Sequence, residues 1–233
     1  MRIDIVTGFP AILQSALNQS MIKKGQDKNA VKIHLHDLRD YTDDKHRTID
    51  DYPYGGGAGM VLKVEPFVRC LEDIDKQSKI SDSKILLMSP QGRQFVQNTA
   101  TQLSLHKHLV FLCGHYKGID QRIHNFFEIE EISIGDYVLS SGEISALVIV
   151  DSVVRLLPGV LKDIDSAWTD SFTEELLDAP YFTRPEIFRS AKVPEVLLSG
   201  NHTKIEKWRL NQKIKSTKNN RPDLYNKYLK TIK

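Results

Sequence analysis

Residues 84–113 read KILLMSPQGRQFVQNTATQLSLHKHLVFLC, and the periodicity of this stretch decides the fold. Lys84–Met88 and His108–Cys113 are short apolar runs bounded by turn residues, the form taken by strands buried on both faces. Between them, Gln94–Leu105 carries apolar residues at helical spacing. Strand, helix and strand in so short a span predict a crossover between parallel neighbours. The same alternation extends toward the N-terminus. Arg2–Val6 reads as a strand closed by the Gly8–Pro10 turn. Ile12, Leu13, Ala16, Leu17 and Met21 then recur as one helix until Gly25, and Val31–Leu35 alternates as a second strand.

Toward the C-terminus a further strand is expected near Glu131–Ile134, followed by a loop through Gly142. Glu143–Leu157 reads as a helix apolar nearly all round, and so as a buried one, stopped by Pro158–Gly159. From Pro158 to Thr169 the periodicity fades, as in a linker. Ser171-Phe172-Thr173-Glu174 fits a capping box that would open a short helix before Asp178-Ala179-Pro180. Two more helices are expected, roughly Thr203–Ser216 and Pro222–Leu229. The pattern predicts an α/β fold with a mostly parallel sheet and a small helical C-terminal domain. Its expected boundaries are 1–160, a linker at 161–170, and 171–233.

Composition excludes several classes. With 233 residues, 40% hydrophobic and 27% charged, the chain has the make-up of a globular protein with a real core. The longest apolar stretch, Ala146–Val154, is broken by Asp151 and falls far short of the roughly 20 residues of a membrane span. Arg2 and Asp4 interrupt the start, so no secretory leader is expected. The two cysteines, Cys70 and Cys113, have no metal-ligand spacing and suit a reducing, cytoplasmic setting. The net charge of +2 hides an asymmetry: residues 201–233 hold ten Lys/Arg and two acids, for +8, leaving −6 on the rest. Such a basic end points to a polyanionic partner, or else to a solvated helix surface.

Candidate chemistry gathers in loops. Glycines as dense as those of Pro53-Tyr54-Gly55-Gly56-Gly57-Ala58-Gly59-Met60 let backbone approach a ligand or another chain closely; no GK[ST] follows, so it is not a Walker loop, and by itself the stretch reads as a tight structural loop or a binding loop. Three further loops follow apolar strands: Ser89–Arg93, Gly114–Asp120 and Ile134–Glu143. Ligands collect beyond the carboxyl ends of strands in open α/β sheets, so these loops suggest a cofactor cradle built largely of backbone. Asp151 and Arg155 stand four apart on a helix, where an ion pair worth about 0.2–0.5 kcal/mol would account for both. Asp170 precedes the expected cap Ser171 and would favour that helix N-terminus. The eight histidines form no metal set, although His34 and His36 share a strand face.

Taken in order, Asp44-Lys45-His46, Asp50-Asp51, PYGGGAGM at 53–60, SPQGR at 89–93, CGHYKGID at 113–120, SIGDYVL at 133–139, PGVL at 158–161, DSF at 170–172, Tyr181 with Thr183-Arg184-Pro185, and Lys207-Trp208-Arg209 carry a resemblance. Together they resemble the TrmD family of bacterial tRNA (guanine-N1)-methyltransferases over essentially the whole chain. The resemblance implies a SPOUT-class α/β domain with a C-terminal trefoil knot, a homodimer with shared active sites, and no membrane association. It implies methyl transfer from S-adenosylmethionine to N1 of the guanine at tRNA position 37, with room for Mg²⁺ in catalysis. Carried across, the cofactor pocket would use Leu87, Met88, Ser89 and Pro90, then Gly114, Tyr116 and Gly118, then Ile134, Gly135, Tyr137, Leu139 and Gly142. Asp170 matches the general base and Arg155 the basic residue near the reacting base. Asp50 and Gly59 lie where the guanine and its neighbour are met. Lys117 stands where the family commonly has Glu, Gln121 replaces a frequent acid, Ser141 a glycine and Ala58 a common proline. A cationic cofactor would suit a mixed acidic and backbone-lined pocket around Asp136 and Glu143, unless these two serve as helix caps. The competing class is a non-catalytic RNA-binding protein that keeps the fold. Retention of Arg155 and Asp170 favours the enzyme.

Overall fold

A computed structural model describes residues 1–161, 170–172 and 174–232. The expected linker lies almost wholly outside the described residues. The chain divides into two compact units, Met1–Ile164 and Asp165–Lys233.

The first unit is built on β1 (Arg2–Thr7), β2 (Lys32–Asp37), β5 (Lys84–Gln94), β6 (His108–Leu112) and β7 (Ile129–Ser133), with two short strands, β3 (Asp50–Asp51) and β4 (Val61–Leu62), paired outside the main sheet. The five strands run in the order β2-β1-β6-β5-β7, and every pairing is parallel. Alternation along each strand feeds two cores. Ile3, Ile5, Leu86, Met88, Leu109 and Phe111 enter the core on one face. Val6, Ile85, Leu87, Val110 and Leu112 enter the other. Both faces are covered along β6 and the first half of β5, which is why these two read as near-continuous apolar runs, whereas β2 at the sheet edge is only partly buried and alternates.

Helices α1 (Ala11–Leu17), α2 (Ser20–Asp27), α4 (Gln97–Ser104) and α5 (Glu143–Val154) serve the first core. The single helix expected between Ile12 and Gly25 is two: the chain turns through Asn18 and Gln19, and Ser20 takes φ 50°. The other core is closed by α3 (Val64–Gln77), which packs Phe67, Cys70, Leu71 and Ile74 inward. On that face Asp4 is fully buried in β1, yet it receives bonds from Arg2 (2.6 Å), His36 (2.7 Å) and His108 (2.7 Å). Helix α5 stops at Val154, earlier than the expected Leu157, because a tight turn (Leu157 N–H to Val154 O, 3.1 Å) leads into Gly159 at φ 79°. Nor is α5 buried all round: Ile144 and Val148, one turn apart, are 46% and 41% exposed.

In the second unit a hairpin (Ile187–Phe188 with Ala191–Lys192) precedes helices Glu195–Leu198, His202–Asn220 and Pro222–Thr231. Asn201 caps the long helix by accepting from the Lys204 N–H, and Pro222 opens the last. The short helix expected from Ser171-Phe172-Thr173-Glu174 is not formed among the described residues. Phe172 and Glu175 take φ 76° and 58°, and Phe172 N–H bonds Leu176 O in a turn. Ser171 Oγ accepts from the Asp178 N–H instead of capping a helix, and Thr173 lies outside the described residues.

Candidate functional site

At the carboxyl ends of β5, β6 and β7 the three glycine-bearing loops close around one pocket. The first wall is an excursion from β5. Met88 and Arg93 both register with Ile132 of β7, so Ser89–Gly92 loop out of the sheet and return to the point they left. Gly92 makes the return possible, since a Cβ there would collide with the backbone of Glu131 and Ile132. Met88, Ser89 and Pro90 line the pocket from this side.

The second wall follows β6. Gly114, His115, Tyr116, Lys117 and Gly118 line it, with Tyr116 held at φ 58° and the His115 ring packed at a tilt against Phe9, ring centroids 4.6 Å apart. The third runs from Ile132 to Ser145 and includes Ile134, Gly135, Tyr137, Leu139 and Gly142. Second and third walls are stitched by the Gly142 N–H to Gly114 O bond, 2.8 Å, and by a bridge between His115 and Ser141. Gly142 permits this approach. A Cβ on it would stand 2.9 Å from Cys113 Cα, 3.0 Å from Gly114 N and 3.1 Å from Met88 Cβ.

Of the cofactor residues expected from sequence, eleven line this pocket and Leu87 does not. Leu87 points by alternation into the opposite core, so it acts as the strand residue that launches the loop. Sequence reading did not single out Ser133, Val138, Ser140 or Ser145 as lining residues. A Ser in the first turn of a helix that follows a glycine loop was the available signal for Ser145.

The glycine loop at 53–60 is clipped to the second wall. Lys117 N–H bonds Met60 O (3.1 Å), Leu62 N–H bonds Gly118 O (3.0 Å) and Asp120 N–H bonds Leu62 O (3.0 Å). Both expected substrate residues are therefore beside the pocket. Gly59 packs under the aliphatic stem of Lys117, whose Cγ would lie 3.1 Å from a Cβ at that position. Asp50 reaches the Tyr116 phenol, whose pKa is raised first by burial and then by the hydrogen bond to that carboxylate.

The expected acidic lining is not found. Asp136 is exposed, and neither it nor Glu143 lines the pocket. Among the described residues, Lys117 is the one lining side chain of fixed charge. Glu143 instead lies fully buried in the first turn of α5, which has no side-chain cap. Thr7 donates its hydroxyl to Glu143 Oε1, and Thr7 Oγ1 accepts from the Phe9 N–H at 2.8 Å. Glu143 Oε2 has no hydrogen-bond partner among the described residues.

The two expected catalytic residues, Arg155 and Asp170, belong to different units of the chain. Arg155 ends α5, and the twelve residues of that helix separate it from Gly142 by about 20 Å. Asp170 belongs to the second unit, where its charge reaches the Tyr181 phenol. That phenol is raised chiefly by its hydrogen bond to Asp178. No group of three His, Cys, Asp or Glu side chains able to hold a metal occurs among the described residues.

Backbone glycines and a hydroxyl-rich wall form a site able to hold a polar small molecule largely through main-chain groups. Comparison with known proteins agrees in extent. Residues 1–227 match the family model described as tRNA (Guanine-1)-methyltransferase TrmD. A tRNA (guanine-N(1)-)-methyltransferase of Geobacillus kaustophilus is 50% identical over 233 residues, all of this chain and 95% of the relative. That of Carboxydothermus hydrogenoformans is 51% identical, covering 96% of this chain and 87% of the relative. That of Bacteroides fragilis is 49% identical, covering 96% and 99%.

Proposed function

This chain belongs to the tRNA (guanine-N1)-methyltransferase family, and from that premise we propose that it methylates N1 of a guanine in tRNA. The donor is S-adenosylmethionine, the target is the guanine at position 37 beside the anticodon, and the setting is the cytoplasm. The observation that carries the reading is the convergence of three loops from β5, β6 and β7 on one backbone-lined pocket. When bound, the cofactor supplies an electrophilic methyl on a positive sulfur. Gly114, Gly142 and the Met88–Pro90 wall would hold it, and Tyr137 and Leu139 would cover its apolar parts.

The chain's own residues must handle a proton and a charge. Guanine N1 carries a proton and is a poor nucleophile until that proton leaves. The Asp170 carboxylate takes it. An ordinary carboxylate near pKa 3.9 is a weak base for this, and each unit of mismatch costs about 1.4 kcal/mol. Arg155 offsets that cost by stabilising the negative charge that develops on O6. Asp50, Gly59 and the Tyr116 side chain frame the base. A required Mg²⁺ would be held mainly by water and by RNA or cofactor oxygens.

Arg155 cannot serve the pocket of its own chain across the length of α5, which supports a homodimer with shared sites. The exposed Ile144 and Val148 on that helix supply an apolar face for a second copy. The strand order, with β5 between β6 and β7, and the tight apposition of Gly142 to Gly114 support a trefoil knot in this part of the chain. The basic segment 171–233 is assigned to tRNA. A single-turnover assay on tRNA transcripts with guanosine or adenosine at position 37 tests the reading. Methylation of the guanosine transcript alone is expected, and methylation of neither overturns it.

A further inference from the structure

The charges around the pocket run against the ligand it is read to hold. Its fixed charged lining side chain is Lys117, a cation, while S-adenosylmethionine carries a positive sulfur. Compensation must come from behind the walls, and one group there is otherwise hard to account for. Glu143 is fully buried, its Oε1 accepts only from the neutral Thr7 hydroxyl, and its Oε2 has no partner among the described residues. No Lys, Arg or His forms an ion pair with it among those residues. A buried carboxylate in that state is expensive and is ordinarily neutralised, paired or replaced. It persists at low cost where a ligand brings the missing positive charge.

Its position suits that role. Glu143 sits between Gly142 and Ser145, both on the pocket wall. Its charge is felt by Cys113, the residue before Gly114, whose thiol is pushed well up by burial and then by Glu143. The first turn of α5 adds a positive potential around that carboxylate.

We propose that Glu143 is the counter-charge for the sulfonium: a positioning residue that acts through space from behind Gly114 and Gly142. It makes the pocket prefer the charged methyl donor over the demethylated product, S-adenosylhomocysteine, whose sulfur is neutral. The inference rests on reading the pocket as the S-adenosylmethionine site. The competing role is a strut in which Glu143 merely pins the end of β1 to α5 through Thr7.

Calorimetry on the full chain separates the two. Three probes are titrated: S-adenosylmethionine, S-adenosylhomocysteine, and an analogue in which an ammonium-bearing carbon replaces the sulfonium. Glu143→Gln keeps the shape and an acceptor for Thr7. It should weaken both cationic ligands by about tenfold and the neutral product by less than about threefold. Thr7→Val removes the bond but keeps the carboxylate, so the ratio of donor to product affinity should stay within about twofold of wild type. If Glu143→Gln fails to fold, the double change Thr7→Val/Glu143→Leu serves, since apolar replacement of both partners is nearly neutral for stability. It should show the same selective loss. Equal weakening of all three ligands, or no change in any, overturns the counter-charge role and leaves the strut. Wild-type protein that binds none of the three overturns the cofactor reading instead.

Discussion

Gly142→Ala tests the cradle directly. Gly142 has φ −79°, a conformation that alanine adopts freely, so any effect comes from space and not from backbone strain. The added methyl would lie 2.9 Å from Cys113 Cα and 3.0 Å from Gly114 N, against the roughly 3.5–4.0 Å of a comfortable carbon contact. Neither neighbour is the free end of a side chain, so the loops must part by about half an ångström or more. That lengthens the Gly142–Gly114 bond from 2.8 Å to beyond the usual limit of about 3.2 Å. Overpacking and one lost backbone bond together cost about 2–4 kcal/mol. For a chain of this size, at roughly 2–4 °C per kcal/mol, the melting temperature should fall by about 4–16 °C. Parting the second and third walls should also weaken S-adenosylhomocysteine by at least about tenfold, roughly 1.4 kcal/mol. Differential scanning calorimetry and ligand titration read the two effects. A variant that melts within a degree of wild type and binds the product normally would show that the apposition of Gly142 and Gly114 is not what shapes the site.

Asp170→Asn should cut the single-turnover methylation rate by about 10²–10⁴-fold while product binding stays intact, and a loss under about tenfold would remove Asp170 from the proton transfer. Replacing exposed Lys215 and Lys218 by Gln should weaken tRNA binding across sequences and lower its salt-dependence slope by about 0.7–0.9 per lost contact. Lys213 is the poorer choice because it pairs with Asp178 at 3.5 Å. An unchanged slope would assign these charges to a solvated surface. Asp4 gives an acid-limb prediction. Burial pushes its carboxyl up, but bonds from His108, His36 and Arg2 outweigh this and hold it far below the ordinary range. Its stabilising contribution is therefore complete above about pH 5 and is lost as the pH falls below about 4. Urea melts of Asp4→Asn between pH 3 and 7 should show lower stability at neutral pH and a flatter acid limb, whereas a parallel curve would discount the network.

The central strands of the main sheet were legible because they are buried on both faces, so apolar runs such as Lys84–Met88 and His108–Cys113 stand out. The three pocket loops followed from the position of their glycines after those runs. Helix α3 is carried by the spacing of Val64, Phe67, Leu71 and Ile74, but Pro66 in its first turn and the glycine loop before it are turn signals that mask its start. The break between α1 and α2 carries only Asn18-Gln19-Ser20 as a signal, weak because polar residues also sit on exposed helix faces. The capping-box pattern at Ser171 failed for a tertiary reason: the hydroxyl found a better donor in Asp178. No local pattern could locate the Glu143 carboxylate, because its burial depends on β1 arriving from more than a hundred residues away. For the same reason the distance of Arg155 from the pocket appears only once α5 is a helix of known length.

The excursion of β5 has a consequence for how such a protein can change. Because Met88 and Arg93 meet the same residue of β7, the four residues between them lie outside the hydrogen-bond count of the sheet. Substitutions, and even a residue gained or lost between Ser89 and Gln91, can reshape the pocket rim without sliding β5 against its neighbours, provided the glycine at the return is kept. The wall that touches the ligand and the sheet that carries the fold are thus under separate selection, although they are drawn from one strand.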